Sequence, residues 1–148
     1  MGTIKQFPGG RAKRRVGVPL EELGFIIDLC RRSSMAREAL EADYATGGGL
    51  LVPGSFVEVL WDSIVETLTN ESEHSPHLIE LFGALDDSHG LNDTVNEFIE
   101  RTLLEYVYLG DRADPTVRPQ QRDQLVGLLG PKLLARLADV ALRLDGPQ

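Results

Sequence analysis

The middle of the chain holds a run of side chains that can bind metal ions. They are Glu71, His74, His77, Glu80, Asp86, Asp87 and His89. Zinc and di-iron sites take such ligands from facing helices. Pro76 separates His74 from His77, so these two are not expected to share one helix face. The favoured interpretation is a set of polar turn residues, with no metal and no cofactor, and the spacing leaves open whether the histidines meet in space.

Nucleophilic catalysis finds no support in the residue pattern. The chain has no Gly-x-Ser-x-Gly elbow, and no histidine lies near its single cysteine, Cys30, in sequence. Cys30 falls on an apolar helical stripe, where a core role is expected. No catalytic residue is predicted, although a site assembled in space keeps a metal-dependent or other enzyme open as a third hypothesis.

The clearest structural element is the helix predicted within residues 91–110. Thr94 and Glu97 have the spacing of a capping box, and Gly110 is typical of a helix end. Apolar residues recur there at the helical period: Val95, Phe98, Ile99, Thr102, Leu103, Tyr106 and Leu109. The stripe widens towards its C-terminal half, so this helix is expected to lie in the middle of a bundle.

Further helices are predicted in six segments: 20–32, 34–45, 53–72, 77–87, 121–130 and 132–146. Ser55 and Glu58 suggest a capping box in the third of these, and Asp114 with Pro115 suggests an N-cap before the fifth. No segment shows strand-like alternation. The predicted fold is all-α, an irregular bundle of about six or seven helices with a flexible basic N-terminal tail.

For two helices, the period of the apolar residues predicts which side chains face the core. In the first helix these are Leu20, Leu23, Ile26, Ile27 and Cys30. In the last they are Leu133, Leu134, Leu137, Val140, Ala141 and Leu144. The last two helices resemble a helix-turn-helix in arrangement, but the second of them is mostly apolar. A core role is therefore expected for it, and not recognition of DNA.

Composition places the chain among ordinary globular proteins. Its 148 residues, 42% hydrophobic and 26% charged, suit one domain over residues 18–148 with a tail over residues 1–17. One cysteine agrees with a reducing compartment. No apolar run reaches the roughly 20 residues of a membrane span, and no signal peptide is visible. We therefore expect no membrane association and a cytoplasmic location, and the excess of 12 arginines over 3 lysines fits a GC-rich, bacterial genome.

Charge is distributed unevenly and carries the functional prediction. Residues 1–15 hold five cations and no acid, while the whole chain has a charge of −8, so residues 16–148 carry −13. An acidic body favours a basic protein partner over nucleic acid. The leading hypothesis is a non-enzymatic protein-interaction module, an adaptor or a neutralising partner by analogy with small acidic immunity proteins and antitoxins.

Two groups of residues are the candidate partner-binding sites. Trp61, the only tryptophan, lies at the edge of an apolar stripe, where a half-exposed ring could anchor a partner; the alternative is that it fills the core. Arg11, Lys13, Arg14 and Arg15 form the basic cluster of the tail. The second hypothesis is a regulatory factor that contacts nucleic acid through this cluster.

The tail gives a test that separates these two hypotheses. We expect the full-length protein to show no useful affinity for RNA or DNA at ~0.15 M salt, because the acidic body opposes binding. A peptide of residues 1–15 should bind better, with a log–log salt slope of up to about −4 on duplex DNA. Fluorescence anisotropy across salt concentrations measures both. Tight, tail-dependent binding by the full-length chain would favour the nucleic-acid hypothesis instead.

Overall fold

The computed structural model describes residues 20–46 and 52–146. Within these ranges the chain is helical and contains no strand, which confirms the all-α prediction. Seven helices are present there: α1 (Leu20–Arg32), α2 (Ser34–Thr46), α3 (Pro53–Asn70), α4 (Pro76–Ser88), α5 (residues 93–109), α6 (Pro119–Leu128) and α7 (Pro131–Asp145). The predicted tail, residues 1–17, lies outside the described residues.

Helix α5 is continuous but not uniform. It consists of an α-helical stretch, Asp93–Ile99, a π-helical turn, Glu100–Leu104, and a second α-helical stretch, Glu105–Leu109. In the π turn the N–H of Glu105 donates to the carbonyl of Glu100, five residues back. The helix ends, as predicted, at Gly110, whose φ of 55° lies in the left-handed region that glycine adopts without strain.

The π turn decides which side of α5 enters the core. On a straight α-helix, residues four apart are rotated by about 40° relative to each other about the helix axis, because a turn takes 3.6 residues. The π turn contains more residues per turn, so it reverses this rotation. The buried line is therefore Val95, Ile99, Leu103 and Val107. Thr102, Tyr106 and Leu109, which the straight-helix pattern placed on the inward stripe, are only partly buried.

The central position predicted for α5 is confirmed by its neighbours. It packs against α1, α3, α4, α6 and α7. Its Phe98 meets Phe25 of α1 edge to face, with ring centroids 5.9 Å apart and an interplanar angle of 72°. The core is otherwise largely aliphatic, and its largest fully buried side chains include Ile26, Leu60 and Leu104.

Proline sets the start of four helices. It occupies the first turn of α3, α4, α6 and α7 at Pro53, Pro76, Pro119 and Pro131. That position needs no N–H donor, and the fixed φ of proline already suits a helix. These starts are therefore encoded locally.

Both predicted capping boxes are wrong. Asn92, and not Thr94, caps α5, since its side chain accepts a hydrogen bond from the N–H of Val95 at 2.8 Å. Thr94 and Glu97 thus lie inside the helix. Helix α3 begins at Pro53 without a side-chain cap, and the hydroxyl of Ser55 donates to Asp43 of α2.

The inward faces predicted for α1 and α7 need correction. In α1, Ile26 and Cys30 are buried, but Leu20 and Ile27 are 80% and 47% exposed, and Phe25 and Leu29 take the core positions. This face is selected by α2, α4 and α5, which pack against α1 together.

Helix α7 contributes less to the core than its composition suggested. Only Leu133 and Val140 of this helix are buried, whereas Leu134 and Leu144 are 49% and 36% exposed. It packs mainly on α5 and on α4, at the edge of the bundle.

Replacing Phe98 by alanine tests the central role of α5. The variant should lose roughly 3–5 kcal/mol of unfolding free energy, as large-to-small changes at buried aromatic sites do. A denaturant titration measures this, with Leu91→Ala as the control because Leu91 is 71% exposed. A loss below about 1 kcal/mol for Phe98→Ala would mean that this contact does not organise the core.

Candidate functional site

A partly buried polar cluster joins α5 to the end of α4 and to α7. Glu100, the first residue of the π turn, accepts hydrogen bonds on its carboxylate from two sides. His89 lies just after α4, and its Nε2 is 2.7 Å from Oε2 of Glu100. Arg136 of α7 donates from Nε to Oε2 at 3.1 Å and from Nη2 to Oε1 at 3.3 Å. This bidentate interaction between arginine and carboxylate fixes the position of the π turn relative to α7.

The surroundings of Glu100 set its ionisation. Burial by itself would raise its pKa, but the hydrogen bonds and charges of Arg136 and His89 outweigh burial and lower the pKa below its ordinary value. The carboxylate is therefore ionised at neutral pH. The pKa of the Arg136 guanidinium is raised in turn, chiefly by its hydrogen bond to Glu100.

A cleft of about 380 Å³ opens beside this cluster. Its lining is charged and includes three arginines, each already bonded to a carboxylate. Arg101 pairs with Glu97 at 3.2 Å, Arg136 also contacts Asp139 at 2.6 Å, and Arg143 donates to Glu105. An anionic ligand would have to displace these carboxylates. The arrangement therefore serves best as an ionic connection between α5 and α7.

A second polar contact holds the start of α7. Oδ1 of buried Asp86, in α4, accepts the N–H of Leu133 at 2.9 Å, and Lys132 donates to the carbonyl of His89. A carboxylate at a helix N-terminus is electrostatically favourable. Gly130 makes this possible, because a Cβ there would lie 2.4 Å from Cγ of Asp86.

The histidines considered as metal ligands have separate partners. His74 lies beside Glu73 on the surface, His77 Nδ1 is 3.3 Å from the hydroxyl of Ser34, and His89 bonds to Glu100. In the described part of the chain, no three His, Cys, Asp or Glu side chains come together in a way that could hold a metal ion. Each histidine thus belongs to a local polar contact.

Cys30 is buried in the core cluster, as its stripe position predicted. Burial raises the pKa of its thiol; the nearby Arg37 lowers it by less. The reactive thiolate form is therefore disfavoured.

Trp61 is not half-exposed, so the premise for its role as a partner anchor is wrong. Only 3% of the residue is exposed, and its ring stacks on Tyr106 with centroids 5.0 Å apart. Its Nε1–H donates to Oδ2 of Asp114 at 2.8 Å. A ring buried in this way offers little surface to a partner, and the alternative of a core role agrees with the structure.

Asp114 does not cap a helix, contrary to prediction, because α6 begins only at Pro119. It organises the preceding turn instead, where its Oδ1 accepts from both the N–H and the hydroxyl of Thr116. Burial raises the pKa of Asp114, but the hydrogen bonds from Thr116 and Trp61 prevail and lower it.

The exposed side of α3 carries an acidic ridge, which we define as Glu58, Asp62 and Glu66. The three stand four residues apart, so they share one helix face, and all are exposed. None of them forms an ion pair with any residue that the structure describes. Helix α3 itself contains no lysine or arginine.

Two grooves lie at the ends of the ridge. One, of about 270 Å³, is lined by Glu66 together with Glu38 of α2, Glu71 and His77. The other, of about 280 Å³, is lined by Glu58 and Asp62 beside the edges of Trp61 and Tyr106. The ridge and its grooves form an acidic surface along α3, bordered by α2 at one end and by α5 at the other.

The structure assembles residues that the sequence analysis did not connect. Glu100 and Arg136 lie 36 residues apart and give no local signal. The ridge did give one, since acids at positions 58, 62 and 66 are visible in the sequence as a single helix face. The tail cluster Arg11, Lys13, Arg14 and Arg15 lies outside the described residues.

Comparisons with known proteins add no assignment: no family model, no curated protein and no solved structure matches the chain significantly. None of the helices in the described residues is both long and apolar enough to cross a membrane.

Acid titration of stability tests the Glu100 cluster. Glu100→Gln should lower the free energy of unfolding by about 1–3 kcal/mol at neutral pH, because a charged hydrogen-bond acceptor is lost. A carboxylate with a lowered folded-state pKa stabilises the fold above its unfolded pKa, about 4.3, and this contribution disappears as pH falls. The gap between wild type and variant should therefore narrow below about pH 4.3.

Urea titrations at a series of pH values measure this gap. The matched control is Glu97→Gln, since Glu97 pairs with Arg101 on an exposed helix face and should contribute little. A gap for Glu100→Gln that stays undiminished well below pH 4 would contradict the role given to the carboxylate charge.

Proposed function

We propose that the protein is a non-enzymatic interaction module whose acidic surface along α3 binds a basic segment of a protein partner. The observation that carries this proposal is the unpaired acidic ridge. Elsewhere in the described part of the chain, arginines of α1, α5 and α7 form ion pairs with nearby carboxylates. Other exposed acids, such as Glu21 and Asp111, also lack an ion pair with a described residue, but the ridge sets three of them at i, i+4 spacing on one helix face.

The ridge is unfavourable for the isolated protein. Like charges at i, i+4 destabilise a helix by roughly 0.2–0.5 kcal/mol per pair, and Glu58–Asp62 and Asp62–Glu66 make two such pairs. A feature that weakens the fold without a compensating contact is typical of a surface used for binding. Lysine and arginine side chains of a partner would relieve the repulsion.

The grooves suit a cationic segment in particular. Their carboxylates lie beside neutral hydrogen-bonding groups, among them Ser63 and Thr67 in the groove next to α2. In the other, the partly buried ring of Tyr106 offers apolar surface against which the aliphatic part of a lysine or arginine can pack. Such a surface attracts a basic chain over a distance of several ångströms and accelerates its association.

Neutralising the ridge tests the proposal by two opposed effects. The variant Glu58→Gln/Asp62→Asn/Glu66→Gln should gain roughly 0.4–1 kcal/mol of stability, because two repulsive pairs are removed. It should also lose partners that wild type retains in affinity capture from a cell extract, quantified by mass spectrometry. Those partners should be basic and should elute from wild type with moderate salt.

The matched control is Glu21→Gln/Asp111→Asn/Asp123→Asn, which removes the same charge from exposed positions on α1, after α5 and on α6. It should retain the partners. If the ridge variant and the control lose the same proteins equally, only net charge matters and the proposed site is wrong. If the ridge variant retains every partner, the acidic surface is not the binding surface.

A further inference from the structure

The chain itself contains a basic segment that can reach the acidic ridge. Residues 11–15, which we call the tail cluster, hold four positive charges, and no acid precedes Glu21. The cluster lies outside the described residues, but the structure shows where the tail joins the body, because α1 begins at Leu20. If the ridge binds basic segments, the tail cluster is always present to compete for it.

The length of chain between the tail cluster and α1 allows this contact. Arg15 lies five residues before Leu20 and Arg11 lies nine residues before it, which correspond to at most about 17 Å and about 31 Å of extended chain. Helix α1 packs directly against α2 and α3. Because the axes of neighbouring helices lie roughly 8–10 Å apart, the exposed side of α3 is within reach of the cluster.

The ridge matches the tail cluster in length as well as in charge. Glu58 and Glu66 are eight residues apart on α3, so the ridge is about 12 Å long. Residues 11–15 span up to about 14 Å when extended. Three exposed carboxylates without an ion pair in the described residues can thus meet a cationic segment of similar length. Glu21 and Glu22, which are closer to the tail in sequence, are adjacent in α1 and therefore point in different directions.

We infer that the tail cluster binds the acidic ridge of its own chain and competes there with the basic segment of a partner. This inference rests on the proposed function, because it takes the ridge as the site for basic segments. A tethered segment acts at an effective concentration of about 1 mM when its linker is short. At a site with a dissociation constant of about 0.1 mM, it would occupy the ridge about nine-tenths of the time and weaken the binding of an outside segment about tenfold.

Such competition selects among basic partners. A chain that offers only positive charge gains little over the tail, which offers the same charge without the cost of bringing two molecules together. A partner displaces the tail when it adds other contacts, such as packing against the partly buried ring of Tyr106 in the groove beside Glu58 and Asp62. The tail thereby acts against weak, purely electrostatic binding.

Paramagnetic relaxation in the full-length chain tests the contact. A nitroxide label is attached to the thiol of Ala12→Cys, within the tail cluster, while Cys30 is buried and less accessible to the reagent. At ~0.05 M salt the label should broaden the amide signals of residues 58–66 more than those of α7, and ~0.5 M salt should remove this difference. The ridge variant described above should also lose the difference, whereas its charge-matched control should retain it.

Binding of a free peptide tests the competition. The probe is a dye-labelled peptide of residues 3–17, and fluorescence anisotropy measures its binding to the full-length protein. The tail variant Arg11→Gln/Lys13→Gln/Arg14→Gln/Arg15→Gln should bind the probe about tenfold more tightly than wild type does. Adding the three substitutions of the charge-matched control to the tail variant moves the net charge only from −8 to −9, relative to wild type. This combined variant should also bind the probe more tightly than wild type, because its ridge is free.

Three results would overturn the inference. The first is a label at position 12 that broadens α3 and α7 alike, or that broadens α3 equally in the ridge variant. The second is a probe that binds wild type and the tail variant equally but binds the ridge variant less, in which case the proposed function stands and only the competition is wrong. The third is a probe that binds none of these proteins, which would contradict the proposed function as well.

Discussion

Glu100 carries its charge where the end of α4, the π turn of α5 and α7 come together, with only 14% of its side chain exposed. A carboxylate so enclosed is tolerated only if hydrogen bonds replace the water that it has lost. Arg136 and His89 supply them, and each comes from a different part of the bundle. Other contacts at this join are consistent with the same geometry. Asp86 can cap α7 only because α7 is held at that distance from α4.

The π turn links this interaction to the apolar core. It begins at Glu100 and keeps Val95, Ile99, Leu103 and Val107 on one buried line. A straight α-helix would rotate Leu103 and Val107 away from that line. The hydroxyl of Thr102 bonds to the carbonyl of Phe98 within the same region, which gives that carbonyl a side-chain partner. Ion pairing on one side of α5 and aliphatic packing on the other therefore both favour the π-helical backbone conformation at residues 100–104.

The sequence predicts correctly those features that depend on residues close together in the chain. Prolines at positions 53, 76, 119 and 131 and Gly110 mark helix ends by their own backbone geometry. The errors arise where contacts with residues distant in sequence determine which side chains are buried. The spacing predicts that Ile27 faces inward, yet the packing of α2, α4 and α5 on α1 buries Phe25 and Leu29. Trp61 is buried because Asp114, 53 residues away, satisfies its indole N–H. The sequence shows that the acids of the ridge share one helix face, but it does not show that they lack ion pairs with the described residues.

The distribution of arginine connects stability to the proposed binding surface. Arg136 and Arg143 neutralise carboxylates of α5, so the charged side of α7 is satisfied within the chain. The acids of the ridge on α3 have no such partner among the described residues. Salt should therefore weaken attraction between the exposed ridge and a basic partner, while it screens the partly buried pair of Glu100 and Arg136 much less.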